Sequence, residues 1–152
     1  MFLFKSKHTH RDDGDEIYDR LLETKKIESL YKPTLTKHFN LIETYEKVYS
    51  TALRTGIDSP LMDSVIQLCK EDIGLSQKLK EYCIALGEPL FTLPAYKRLA
   101  IIYTKRKQYE QAIEICDASI RIGNLPEEFK TRKSRLEEMK KKATSSSKAL
   151  KS

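Results

Sequence analysis

The sequence predicts an all-α fold, a right-handed array of three antiparallel helix pairs closed by a C-terminal capping helix. Three observations lead there. Apolar residues recur at spacings of 3 and 4 along most of the chain, no segment shows the alternation expected of a strand, and the Pro and Gly punctuation returns at an offset of 34 residues.

Residues 1–13 are polar and read as a flexible arm. From Asp15 the helical spacing begins, with Ile17, Tyr18, Leu21, Leu22, Leu30 and Tyr31, and Pro33 is expected to end this helix because it has no N–H to donate and its ring crowds the preceding turn. Residues 34–55 carry the clearest stripe, Phe39, Leu41, Ile42, Tyr45, Val48, Tyr49, Ala52 and Leu53, with Gly56 at the stop position. Ser59 is placed to cap a helix that starts at Pro60 and runs to about Asp72. Gly74 breaks it, and a partner helix with Leu75, Leu79, Tyr82, Cys83 and Leu86 is expected to follow, ending at Gly87 and Pro89.

The pattern then repeats. Pro94 opens a helix with Leu99, Ile102 and Tyr103, residues 106–108 make a turn, and a second helix carries Tyr109, Ala112, Ile113, Cys116 and Ile120 to Gly123. Pro126 starts a highly charged helix with the sparse stripe Phe129, Leu136, Met139 and Ala143. Residues 144–152, with their serine run, are too polar to pack and read as a disordered basic tail, which leaves 14–143 as the helical domain.

The offset of 34 aligns Pro60 with Pro94, Val65 with Leu99, Cys69 with Tyr103, Leu75 with Tyr109, Leu79 with Ile113 and Leu86 with Ile120. Within residues 93–126, Tyr96, Leu99, Ala100, Tyr103 and Ala112 match the motif positions of the tetratricopeptide repeat family, which this segment resembles. Small Ala100 and Ala112 would let two helices approach closely while Leu99, Tyr103 and Tyr109 fill the space between them. The second helix departs from the motif at Cys116 and Ser119, and the closing Pro126 comes two places late. Residues 59–92 look like a degenerate copy, with Lys78 where the motif wants a small residue and Cys69 where it wants Tyr. Residues 15–56, which show no motif residues, are expected to form a third pair because an unpaired repeat could not bury both faces.

With 152 residues, 39% apolar and 33% charged, the chain has room for one domain with a thin core. Its longest apolar run, Leu99 to Tyr103, is far short of the roughly 20 residues of a membrane span. The opening Met1-Phe2-Leu3-Phe4 is too short for a signal peptide and carries its cations, Lys5 and Lys7, on the wrong side, so a reducing, cytoplasmic setting is expected. The net charge of +6 is concentrated at the C-terminus: residues 126–152 hold nine Lys or Arg against four Glu.

The chemistry-bearing residue types do not assemble into a catalytic pattern. His8, His10, Asp12 and Asp13 have the side chains of a metal site but no rigid element to set its geometry, and no cofactor or metal is expected. His38 needs no role beyond covering part of a helix surface. Cys69, Cys83 and Cys116 lack C-x-x-C spacing and lie on apolar faces, where a free thiol acts as a small hydrophobe. Five scattered Gly form no phosphate loop, and an enzyme is not expected.

The family resemblance implies instead a concave groove, lined by the first helix of each pair, that holds a partner protein segment. Carried over, it places Lys97, Ile101, Thr104 and Lys105 on that face, with Asp63, Gln67, Lys70 and Glu71 one repeat earlier; Ile101 between two lysines would supply an apolar contact with flanking cations. The expected function is a non-catalytic adaptor. The family's clamp for a carboxylate terminus is not reproduced. The alternative is a nucleic acid or another anionic surface bound through Lys130, Arg132, Lys133, Arg135, Lys140, Lys141 and Lys142, although only Phe129 offers a ring for base stacking there.

Overall fold

The computed structural model describes the backbone of residues 2–151 and the side chains of residues 14–147. Among the described residues there are six helices and no strand: α1 (Phe2–Thr55), α2 (Pro60–Ile73), α3 (Ser76–Leu86), α4 (Pro94–Lys105), α5 (Tyr109–Ile122) and α6 (Pro126–Lys151). The expected arm and the end of the expected tail fall within the backbone of α1 and α6, and the side chains of residues 1–13 and 148–152 lie outside the described ones.

The all-α expectation holds, but the helix pair expected over residues 15–56 does not form: Pro33 lies inside α1, which runs unbroken. The reason is the phase of the side chains. Tyr31, Leu35, His38, Ile42, Tyr45, Tyr49 and Ala52 keep one spacing of 3 and 4 straight through Pro33, so a continuous helix presents them all on one seam. His38, Tyr45, Tyr49 and Ala52 are buried there, and Tyr31 packs against Tyr82 at a tilt of 51° with ring centroids 5.5 Å apart. This burial offsets the roughly 3 kcal/mol that an interior proline costs.

Ser59 caps α2 as expected, its Oγ accepting from the Met62 amide at 3.2 Å, with Pro60 in the first turn. At the other end the chain does not fold back. Gly74 (φ −60°, ψ −19°) and Leu75 (φ −88°, ψ −9°) both stay in right-handed helical conformations, so α2 passes into α3 through a bend, and the two make little contact with each other. Each packs on α1 instead: Asp72 at the end of α2 meets His38, and Tyr82 in α3 meets Tyr31. The hairpin expected from the copy at 59–92 is therefore absent. The turn from α4 to α5 shows what a reversal needs here. Lys107 adopts φ +60°, its amide donates to Thr104 O and that of Gln108 to Tyr103 O, closing a Schellman turn; neither Gly74 nor Leu75 takes the left-handed conformation.

From there the chain runs up and down. α4 is antiparallel to α2, with Tyr96 bonded to Ser76 at one end and Arg106 reaching Ile57 and Asp63 at the other. α5 reverses on α4. α6 reverses on α5 in turn, and Lys133–Asp117 and Lys140–Glu110 mark the order of contacts. Tyr45, Met62, Leu79, Leu99, Ile102, Phe129 and Leu136 are the largest apolar side chains sealed in the core, to which all six helices except the outer parts of α1 and α6 contribute. Before Tyr31, the described part of α1 runs past this packed body, and Ile17, Tyr18, Leu21 and Leu30 are each more than half exposed.

Candidate protein-binding face

The residues expected to line a groove occupy two helices. On α4, Lys97 and Lys105 are exposed, while Ile101 and Thr104 are half-buried, with Thr104 Oγ1 donating to Ala100 O at 2.6 Å. On α2, Asp63, Gln67, Lys70 and Glu71 are all exposed. Asp63, Gln67 and Glu71 line a hollow of about 510 Å3 together with Ser64 and Leu68, to which no α4 residue contributes. Among the described residues, no hydrogen bond or ion pair joins the α2 set to the α4 set; the nearest link is Asp63 to Arg106, just past the end of α4.

The α4 face is held in place by ion pairs on either side. Lys97 reaches across to Glu128 of α6 at 3.3 Å. Arg98 forks onto Glu46 of α1, with Nε 3.0 Å from Oε1 and Nη2 2.6 Å from Oε2, and its guanidinium lies over the Tyr49 ring at 3.9 Å from the centroid. Burial by itself would lower the Arg98 pKa; the hydrogen bonds and charge of Glu46, together with Tyr49, leave it raised. The bidentate geometry and the ring make this a fixed strut between α1 and α4. At the far end Arg106 donates from Nε to Ile57 O at 2.8 Å and brings Nη2 within 2.9 Å of Asp63, tying α4 to the start of α2. Ile101 thus sits on a helix tied by side-chain ion pairs to α1, α2 and α6.

Sequence reasoning missed a buried polar cluster. His38, expected at the surface, is 1% exposed; its Nδ1 lies 2.5 Å from Asp72 Oδ1, and Tyr45 donates to Asp72 Oδ2 at 3.3 Å. The available signal was that His38 falls in the seam of α1 between Leu35 and Ile42. Burial, with the Asp72 carboxylate close by, raises the Tyr45 pKa well above its ordinary value and pushes the Cys69 thiol up to about 12. Cys116, also buried, is pushed up to about 11. All three cysteines are free and buried. Within this cluster His38 and Tyr45 of α1 join Asp72 of α2.

Among the described residues no group of three or more His, Cys, Asp and Glu is placed to hold a metal ion, and His8, His10, Asp12 and Asp13 lie outside them. No described helix is long and apolar enough to cross a membrane. Of the seven cations in the alternative set, four are engaged within the fold: Lys130 with Glu127, Arg132 with Glu128, Lys133 with Asp117 and Lys140 with Glu110. No protein-family model matches the chain, and neither a curated protein nor a solved structure matches it.

Proposed function

We propose that the chain is a non-catalytic adaptor, in which the α4–α5 hairpin is a tetratricopeptide-like unit capped by α6 and the outward face of α4 takes a segment of a partner protein. The observation that carries this reading is Ile101, half-buried between the exposed Lys97 and Lys105 on a helix braced to both α1 and α6. The full burial of Leu99, Ala100 and Ala112 supports the register on which it rests. A segment with an apolar residue flanked by acids fits such a face, and Asp63, Gln67 and Lys70 on α2 would extend it. The large exposed apolar side chains of α1 before Tyr31 also favour a protein partner over none.

Capture of partners by the full chain tests this, comparing wild type with Ile101→Asp and with Arg135, Lys141 and Lys142 together changed to Glu. The adaptor reading expects Ile101→Asp to cut capture at least tenfold, with little loss between 50 and 200 mM salt. If the triple change abolishes binding, and binding falls steeply with salt, the anionic-surface reading replaces it, because counterion release governs phosphate binding. Deleting α6 would be uninformative, since its Phe129 and Leu136 are part of the core.

A further inference from the structure

Among the described residues, one ion pair joins the last turns of α6 to α5, and a hydroxyl stands one helical turn beyond it. Lys140 Nζ lies 2.9 Å from Glu110 Oε1, in the first turn of α5. Two hollows of about 670 and 680 Å3 flank this contact, and Lys140 and Thr144 line both; Lys107 and Glu110 are among the other residues of the first, and Asp117, Lys133, Glu137 and Lys141 among those of the second. Thr144 is exposed, with Oγ1 donating to Lys140 O at 3.0 Å. Lys140, Lys141 and Lys142 stand four, three and two residues before it.

We propose that Thr144 is a phosphorylation site for a protein kinase that reads cations two to four residues before its acceptor, and that the phosphate releases the end of α6 from α5. Thr144 Oγ attacks the γ-phosphorus of a nucleoside triphosphate, the bond from that phosphorus to the β-phosphate bridging oxygen breaks, the nucleoside diphosphate leaves, and the hydroxyl proton passes to the kinase's base. The product carries about −1.5 to −2 charges at pH 7. Lys140 is then four residues from a dianion on its own helix face and 2.9 Å from a single, mostly exposed carboxylate. The dianion wins Lys140, and phosphate and Glu110 are left as like charges in one hollow.

Thr144 has a cation at all three positions two to four residues before it, whereas Ser145 has two and Ser146 one, and local packing rules out Ser134, which also follows two cations. Ser134 lies between the buried Phe129 and Leu136, so the chain there cannot open into the extended form a kinase needs. Beyond Leu136 the one large apolar side chain described is Met139, 39% exposed, and the last turns can unwind without exposing core.

The test incubates the full chain with a kinase of this specificity and labelled ATP, maps the phosphate, and follows amide hydrogen exchange over residues 138–147. Label at Thr144, lost at least tenfold in Thr144→Ala, with exchange severalfold faster after phosphorylation, is expected. Unphosphorylated Glu110→Gln, which lacks the ion pair, should already exchange at the faster rate and change little on phosphorylation. Label confined to other residues, or label at Thr144 with unchanged exchange, overturns the proposal. Neither result bears on Ile101, so the adaptor reading stands or falls separately.

Discussion

Asn124 pairs with Leu93 as a backbone segment would. Its Oδ1 accepts from the Leu93 amide at 2.9 Å and its Nδ2 donates to Leu93 O at 3.3 Å and to Ser119 Oγ at 2.9 Å, all out of water. The side chain thereby pins the strand-like entry to α4 against the end of α5. Asn124→Leu leaves the Leu93 N–H and C=O buried without partners, so a loss of roughly 1–3 kcal/mol is expected in urea unfolding. A change within error would show that water replaces the amide.

Lys107 holds φ +60°, a conformation that disfavours every residue with a Cβ, because the Schellman turn between α4 and α5 requires it. Lys107→Gly removes that strain at the cost of a more flexible unfolded chain. A net gain of about 0.5–1 kcal/mol is expected, read as a higher urea midpoint at unchanged slope. Lys107→Val should lower the midpoint.

Ala112 has no exposed surface where α5 meets α4, whereas Lys78, at the equivalent place 34 residues earlier, is exposed. Ala112→Leu should overpack the contact and cost roughly 1–3 kcal/mol, while Lys78→Leu should move the thermal midpoint hardly at all. Equal effects at the two sites would remove the support for the register from Tyr96 to Ala112.

Cys69 and Cys116 are held neutral in the fold, their pKa values raised from 9.0 to about 12 and about 11 by burial. Because the folded values lie above the unfolded ones, their contribution is fully present below pH 9 and is lost as pH rises from there through the folded values. Stability should therefore decline with rising pH above about 9. At pH 8 a thiol reagent should modify these two only at the rate of unfolding, and rapid modification of the native chain would contradict the burial.

Much of the architecture was legible where one residue has one local effect. Pro60, Pro94 and Pro126 start helices, and Gly87 and Gly123 end them at positive φ. Two features needed more than local rules. Pro33 alone argues for a break, yet the seam from Tyr31 to Ala52 stays in phase across it, and tertiary burial outweighs the lost hydrogen bond. Gly74 argues for a reversal, yet glycine permits a left-handed turn without compelling one, and packing of both α2 and α3 along α1 keeps it right-handed. The candidate face was half legible: Lys97, Ile101 and Lys105 share a side of α4 as their spacing requires, but an alignment between repeats cannot show that α2 runs antiparallel to α4. The pair His38 and Asp72 was invisible because a histidine and an aspartate in separate helices carry no sequence signal of their proximity.

The continuity of α1 through Pro33 means that its exposed part has a set azimuth. Ile17, Tyr18, Leu21 and Leu22 belong to the same helix as the seam that Tyr45 and Tyr49 bury, so the angle around the axis between the two faces is determined by residue count. Each residue inserted between them, say after Ser29, would rotate the exposed cluster by about 100° and advance it by about 1.5 Å, whereas seven would nearly restore its orientation about 10 Å further out. Whatever grips that cluster would be presented to the body at one heading, which a one-residue insertion changes without touching a single contact in the core.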